Sequence, residues 1–464
     1  MVMTDLERDV PLVSTQESLW PPLLGPWGVA VLMLVSCLVV WTTAERYMDP
    51  VGEKYVYTLP PGGADFFFAF GGAQAVLLGA DPYHNEIPGL ADFWEQKYLS
   101  LDGKQVRGYY PPTHFLLYLP LAMLTDSFRV ASRMLFAINV SALFLLSYVI
   151  WRLIVRIGNL QGQERQSSML LVPLIFAVLA CNPATSLALE RGNGGDILGA
   201  LFCWSAILLF LDGRFFTSTF MMVPAALIKG YAVWCGLGIW LLGLKRETWA
   251  RTVAGSVLGL AVFLLPVLRY VPEALEIRRK LFASSDQVDW MSLWWNHGFR
   301  NVLLQVAPSI ADSGWLVIAG SCGAIMVACW VKARQAEREG RYRDLALWAV
   351  LFTTSSIELM LGSNPISLIY NLVLVLPGML IVMLLPTSFA RTCGLPGPSI
   401  PVLGVLNLAA IFCVFKSTLF NFWHFPLPGI GMIVFLMTVG GAMLLGRFHS
   451  PHRIASTGSH VGVP

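Results

Sequence analysis

The chain has 464 residues, of which 56% are hydrophobic and only 13% are charged, whereas a soluble domain carries about 25% charged residues. This composition excludes an ordinary soluble domain and predicts a polytopic membrane protein, because the apolar runs approach the ~20 residues that cross a hydrocarbon core. The net charge is +3, and no sustained basic face carries interleaved aromatic residues. Nucleic acid is therefore not an expected partner.

The apolar runs, taken in chain order, predict an all-α bundle of about twelve membrane crossings. They fall at residues 24–43, 130–154, 169–183, 192–211, 217–229, 230–244, 252–271, 314–331, 345–361, 367–385, 399–415 and 429–446. Residues 1–20 are polar and net acidic, unlike the positive start of a cleaved signal peptide, and are expected to form a cytoplasmic tail. We predict a single integral membrane domain over residues 1–464.

Lysine and arginine residues in the short loops predict the orientation, because they collect on the cytoplasmic side. The strongest cluster follows the run at 314–331 and contains Lys332, Arg334, Arg338, Arg341 and Arg343. Counting single crossings from this cluster places the basic residues near 152–165, 214, 245–251 and 391 on the same side. The C-terminal tail, 447–464, also falls there, so both termini are expected inside, in a bacterial inner membrane.

The same count places the long polar loops outside, where we expect the active site. The first external loop, 45–112, is the expected catalytic loop, and 272–313 forms a second long external loop. Residues 113–124 are too few for a crossing and predict a short helix in or at the outer face. The runs 217–229 and 230–244 predict two half-length helices, or one broken helix, that meet at Lys229.

Asp65 is the carboxylate that the first loop sets against an apolar surface. It follows the segment Pro-Pro-Gly-Gly-Ala at residues 60–64 and precedes three phenylalanines. Partial desolvation suits a general base that acts on a hydroxyl, and a helix-capping or ordinary loop aspartate is the alternative.

Charged residues interrupt the apolar pattern at two further places. The segment from Glu190 through Arg191 and Asn193 to Asp196 lies between two apolar runs, where charges are costly and commonly functional. A structural network among these residues is the alternative. Lys229 has no carboxylate within a helical turn in sequence, so its partner comes from elsewhere: Glu190, Asp196, Glu358 or a ligand phosphate.

The other polar candidates carry weaker signals. The aromatic segment 290–301, which contains Asn296 and His297, fits interfacial anchoring better than ligand contact. The same holds for Asn364, His84, His114 and His424. Seven of the eight cysteines lie in apolar runs without a CxxC pair, and neither DxD nor HExxH occurs. We predict no cofactor and no metal site, although these absences leave a bound divalent cation open.

Several segments, in this order along the chain, resemble membrane glycosyltransferases of the GT-C superfamily, in particular glycosyltransferase family 87, also known as DUF2029. They are Asp65, Gly79 to Tyr83, Tyr110 to Pro112 with the apolar stretch that follows, Arg191 to Asn193, Lys229, Asn296, and Ser363 to Pro365. The chain departs from the family pattern at Ala69, where a tyrosine is usual, and at Gly230, where a proline is frequent. This family includes polyprenyl-phosphate-mannose-dependent mannosyltransferases.

The resemblance implies a GT-C type bundle that transfers a sugar, such as mannose or another hexose or a pentose, with inversion. The donor would be a polyprenyl-phosphate sugar, and the acceptor a hydroxyl of a glycolipid or glycan on the outer face. By this resemblance Asp65 is the base, and Lys229 and Arg191 bind the donor phosphate. The expected substrate-binding residues are Tyr83, Tyr110, Glu190, Asn193, Asp196, Asn296, His297 and Asn364.

A transporter or flippase of lipid-linked sugars is the alternative reading of the same features. Twelve crossings and a helix break are also found in transporters. The sequence shows no clear internal repeat, and the first external loop has no counterpart halfway along the chain. These two observations favour the transferase, but neither the sugar nor the acceptor follows from the sequence.

Overall fold

The structure, a computed structural model, describes most of the chain as helices. It covers residues 26–48, 64–83, 99–101, 104–106, 110–284, 298–364, 369–396, 400–403, 405–406 and 427–448. The predicted tail 1–20 and most of 447–464 lie outside these residues, as do Asn296, His297, His84 and His424. The predictions made for these positions are therefore not addressed by the fold.

Helices α1 to α10 are Pro26–Met48, Ala64–Leu77, Pro112–Leu116, Leu119–Leu124, Phe128–Gly158, Gly162–Ser168, Leu171–Ala180, Pro183–Glu190, Gly194–Leu211 and Phe215–Lys229. Helices α11 to α19 are Val233–Gly243, Trp249–Phe263, Val271–Ser284, Phe299–Val306, Ala311–Arg338, Tyr342–Ser363, Leu376–Leu384, Pro386–Cys393 and Leu427–Phe448. Short 3-10 helices occupy Leu265–Tyr270, Pro308–Ile310 and Ile369–Leu374.

Four helical stretches are long and apolar enough to cross a membrane among the residues described: 128–158, 194–211, 308–338 and 342–363. The number rises to seven if each of three bent helix pairs is one span. The bends, of 69°, 50° and 88°, coincide with Pro183, Pro266 and Pro386, and proline removes a helical hydrogen bond and clashes with the preceding turn. The chain is an integral membrane protein, and the predicted count of about twelve crossings is not confirmed.

The two predicted external loops contain more regular structure than expected. Strands β1 (Leu99–Leu101) and β2 (Lys104–Val106) form an antiparallel hairpin inside the first loop, with Leu99 opposite Val106. Apart from this pair of three-residue strands, the described elements are helical, which confirms the predicted all-α fold. Helices α13 and α14 occupy much of the predicted loop 272–313.

The segment 113–124 forms two helices, α3 and α4, of five and six residues. These are far shorter than a membrane crossing, which confirms that the segment is not a full span. Helices α10 and α11, of 15 and 11 residues, are separated at Gly230, where φ is +80°. This confirms the predicted break next to Lys229.

Helices α5, α9 and α10 form the frame of the site. Arg156 near the C-terminus of α5 donates to Asp212, which follows α9, at 2.8 Å, so these two helices run in the same direction. Ser218 at the start of α10 donates to the carbonyl of Ala206 in α9 at 2.7 Å, and α10 runs back along α9. The start of α9 and the end of α10 therefore lie at the same level.

Candidate active site

Asp65 lies in the first turn of α2 and is bound by the segment that joins α8 to α9. Arg191 donates to both carboxylate oxygens, from Nε at 3.0 Å and from Nη2 at 2.7 Å. Asn193 Nδ2 donates to Oδ2 at 3.2 Å. Only 7% of Asp65 is exposed. These contacts fix the orientation of the carboxylate, since a planar guanidinium matches both oxygens at once.

The backbone of Arg191 also contacts the start of α2. Its carbonyl accepts hydrogen bonds from the N–H groups of Asp65 at 3.1 Å and Phe66 at 3.4 Å. The first N–H groups of a helix have no partner inside the helix, so Arg191 supplies one. Gly192, with φ of +67°, permits the sharp turn between α8 and α9 that brings Arg191 here.

A second ion pair lies between α9 and α10. Lys229 Nζ donates to Asp196 Oδ2 at 2.8 Å, and the Asp196 side chain is fully buried while 13% of the Lys229 side chain is exposed. Asp196 is in the first turn of α9 and Lys229 is the last residue of α10. Each charge therefore lies at the helix end whose dipole favours it. Of the partners considered for Lys229, the structure provides Asp196.

His114, on α3, lies between the two ion pairs. A Cβ atom at Gly195 would approach its Cε1 atom to 2.3 Å, so the imidazole packs directly on the start of α9. Thr113 Oγ1 donates to the carbonyl of Leu227 at 2.6 Å, which holds α3 against the last turn of α10. Burial, followed by the positive charge of Lys229, lowers the pKa of His114 well below 6.5, against the opposing effect of Asp65. The imidazole is neutral at physiological pH.

Tyr83 and Tyr110 connect the two ends of the first loop beside His114. The Tyr83 hydroxyl donates to the Tyr110 carbonyl at 2.8 Å, and both side chains are buried. The Tyr110 ring stacks on His114 with centroids 4.4 Å apart and an interplanar angle of 9°. Burial, followed by the charges of Asp81 and Glu273, raises the pKa of the Tyr83 phenol. Tyr83 therefore holds Tyr110, and Tyr110 in turn contacts His114.

Asn364, at the end of α16, is brought to the turn between α10 and α11. Its Nδ2 atom lies 3.5 Å from the hydroxyl of Tyr231, which also accepts from Asn371 at 3.1 Å. Tyr231 follows Lys229 by two residues, so Asn364 contacts the segment that connects α10 to α11. Glu190 is partly buried at the end of α8.

Three residues that the sequence analysis gave little or no weight are central to this site. They are His114, Tyr118 and Asn139, all about 1% exposed. Tyr118 Oη is 3.5 Å from His114 Nε2, and a Cβ at Gly194 would lie 3.1 Å from Asn139 Oδ1. The available signal was Asn139 itself, an amide inside an otherwise apolar span, where polar residues commonly bind another helix or a ligand.

The charges of the two pairs cancel: the carboxylates of Asp65 and Asp196 face one guanidinium and one ammonium. Groups of three or more His, Cys, Asp or Glu side chains that could hold a metal ion do not occur in the described part of the chain. The chemistry available at the site is that of a fixed carboxylate and two cations in a buried setting. This combination suits proton abstraction from a hydroxyl and stabilisation of a developing anion.

By its fold the chain is a helical integral membrane protein. The family model described as glycosyltransferase family 87 matches residues 109–360, which is more than half of the chain, and the chain belongs to that family. It is therefore a membrane glycosyltransferase, as its motifs predicted. The match includes Arg191, Asn193, Asp196 and Lys229, and it begins after Asp65.

A similar solved structure is that of ArnT from Cupriavidus metallidurans bound to undecaprenyl phosphate. The two chains are 15% identical with a TM-score of 0.38, and the similarity covers 91% of this chain and 78% of ArnT. No curated protein sequence matches this chain significantly.

Proposed function

We propose that this glycosyltransferase moves a hexose such as mannose, or a pentose, from a polyprenyl-phosphate donor to an acceptor hydroxyl of a glycolipid or glycan, with inversion. The observation that carries the proposal is the Asp65 carboxylate, held by Arg191 and Asn193 beside the Lys229–Asp196 pair. A displacement of this kind needs one base and a cationic environment for the leaving phosphate.

In the proposed reaction, Asp65 accepts the proton of the acceptor hydroxyl while the oxygen of that hydroxyl attacks the anomeric carbon. The bond from that carbon to the phosphate oxygen breaks, and its electron pair leaves with the polyprenyl phosphate. Arg191 and Lys229 stabilise the negative charge that develops on the phosphate. Arg191 thus serves two groups, because it also orients the base through both carboxylate oxygens.

We further propose that the site opens on the outer face of the membrane. The site lies at the starts of α2 and α9, while Arg156 binds Asp212 at the opposite end of α9. Lys245 and Arg334, near the C-terminal ends of α11 and α15, both bind Glu337. These two helices run in the same direction as α9. Basic residues favour the cytoplasmic side, which supports the outer side for the site.

The test is Asp65→Asn, assayed in membranes supplied with polyprenyl-phosphate mannose, glucose and arabinose. Asparagine keeps the size but cannot take the proton, and its single oxygen can accept only one of the two bonds from Arg191, so transfer should fall by about 10²–10⁴-fold. Asp312→Asn is the matched control, because the exposed Asp312 also pairs with an arginine: its Oδ1 accepts from Arg300 Nε at 3.1 Å and from Nη2 at 2.7 Å.

Wild-type transfer by the Asp65→Asn variant would exclude Asp65 as the base. Movement of the lipid-linked sugar across the membrane without any glycosylated product would instead favour a flippase.

A further inference from the structure

Beside the two ion pairs lies a group of buried polar side chains that the proposed reaction does not use. His114, Asn139 and Asn193 are each about 1% exposed. His114 Nδ1, both amide atoms of Asn139 and Asn193 Oδ1 have no hydrogen-bond partner among the described residues. Unpaired buried polar atoms are rare in folded proteins, because each loses its bonds to water without replacement.

These side chains meet at the first residues of α9. A Cβ at Gly194 would lie 3.1 Å from Asn139 Oδ1 and 3.3 Å from the Tyr118 hydroxyl, and a Cβ at Gly195 would lie 2.9 Å from His114 Nδ1. Asn193 directly precedes these two glycines. The two glycines therefore let side chains from α3, from the residue before α4 and from α5 approach one point of the backbone.

The orientation of the Asn193 amide follows from its partner. Asp65 accepts hydrogen bonds and does not donate when ionised, so the NH₂ group of Asn193 faces it at 3.2 Å. The carbonyl Oδ1 then points away from Asp65. Asn193 thus connects the proposed base, Asp65, to the buried polar atoms that lack a partner among the described residues.

The chemistry of the unpaired atoms indicates what they would bind. All three side chains are neutral, and together they offer amide N–H donors, carbonyl acceptors and an imidazole nitrogen. Phosphates are bound mainly by cationic side chains, and metal ions by several carboxylate, imidazole or thiolate ligands. A sugar hydroxyl both donates and accepts, and it matches a neutral set of donors and acceptors.

We propose that His114, Asn139 and Asn193 form the subsite that binds hydroxyl groups of the transferred sugar. This inference rests on the proposed function. It assigns the recognition of the sugar to side chains next to the base, and the recognition of the phosphate to the ion pairs. Tyr110, stacked on His114, and Tyr118 hold the imidazole in place from two sides.

At Asn139, the proposal predicts opposite effects of one substitution on stability and on substrate binding. Leucine has the same branching and the same number of side-chain heavy atoms as asparagine, and it carries no group that needs a hydrogen bond. Asn139→Leu should therefore keep or raise the melting temperature, since it removes two unpaired buried atoms. The same variant should raise KM for the polyprenyl-phosphate sugar by about two- to tenfold, the effect of one lost hydrogen bond of ordinary strength.

A binding experiment gives a readout that does not depend on transfer. The purified full-length protein is heated with polyprenyl-phosphate mannose, glucose or arabinose, and separately with sugar-free polyprenyl phosphate. The wild type should be stabilised more by one sugar-bearing lipid than by the sugar-free lipid, and Asn139→Leu should remove that difference. His114→Gln, which keeps a neutral polar group, provides a second variant if Asn139→Leu does not fold.

Ser355→Ala is the matched control. Ser355 is buried in α16 with a hydroxyl that has no partner in the described part of the chain, and its carbonyl contacts Cys322. This change should leave the sugar preference unaltered. Equal stabilisation of the wild type by sugar-bearing and sugar-free lipids would overturn the subsite, as would unchanged KM and sugar preference in both variants.

The outcomes also distinguish the subsite from the proposed function. Preferential binding of the sugar-bearing lipid without product would support the subsite and exclude the transfer reaction. Product formation with unchanged kinetics in Asn139→Leu and His114→Gln would retain the reaction and exclude the subsite.

Discussion

Replacing Asp196 by Asn removes the carboxylate that lies 2.8 Å from the Lys229 ammonium. The two side chains are 0% and 13% exposed, so water screens their attraction poorly. Two unit charges at about 4 Å attract by about 4 kcal/mol at an effective dielectric constant of about 20. Removal of one partner of a buried pair costs about 3–5 kcal/mol. The Asp196→Asn variant should therefore melt several degrees below the wild type.

The double variant, Asp196→Asn with Lys229→Met, separates the structural role of this pair from its proposed catalytic role. It removes both buried charges, so most of the lost stability should return. Transfer should remain at least about tenfold low, because the cation proposed for the leaving phosphate is absent. The assays are thermal unfolding of the purified protein and transfer from a polyprenyl-phosphate sugar in vesicles.

Two results would refute this reasoning. An unchanged melting temperature for Asp196→Asn would show that the pair contributes nothing to folding. A double variant with wild-type transfer would show that Lys229 has a structural role only. Asp312→Asn, in the exposed pair with Arg300, should change neither property noticeably, because surface ion pairs contribute little.

Three further predictions concern neighbouring contacts. Arg191→Lys keeps the charge but loses the two parallel bonds to Asp65, so transfer should fall about 10–100-fold while Arg300→Lys has no effect. Gly195→Ala should destabilise the protein by about 1–3 kcal/mol in thermal unfolding, because its Cβ would lie 2.3 Å from His114; unchanged stability would show that the contact relaxes freely. The depressed pKa of His114 means that the unfolded chain takes up a proton that the folded chain excludes. Stability should therefore be lost as pH falls below about 6.5, by up to about 1.4 kcal/mol per pH unit, and His114→Gln should weaken this dependence.

The sequence predicted the class and the main elements because hydrophobicity and charge are local properties. The break at Lys229 was predicted because the two apolar runs on either side are short, and α10 and α11 are separated there. The predicted number of crossings is not confirmed, since several of the apolar runs form helices that are bent or only 10–17 residues long.

The partners within the site were not predictable in the same way. Lys229 had several candidate partners, and only the antiparallel packing of α9 and α10 brings Asp196 to it. His114 was given little weight because nothing near it in sequence indicates a site. Its role as a neighbour of both ion pairs depends on Gly195, which allows the ring to pack on α9.

The position of the charges supports a lipid-linked donor. Asp65 and Asp196 lie in the first turns of α2 and α9, and Lys229 is the last residue of α10. The helix dipoles favour a carboxylate at a helix start and a cation at a helix end, which helps to offset the cost of burying these groups. Because α9 is long enough to span the membrane, its first turn lies near one surface of the bilayer. Lipid phosphates lie at that depth, which agrees with the proposed polyprenyl-phosphate donor.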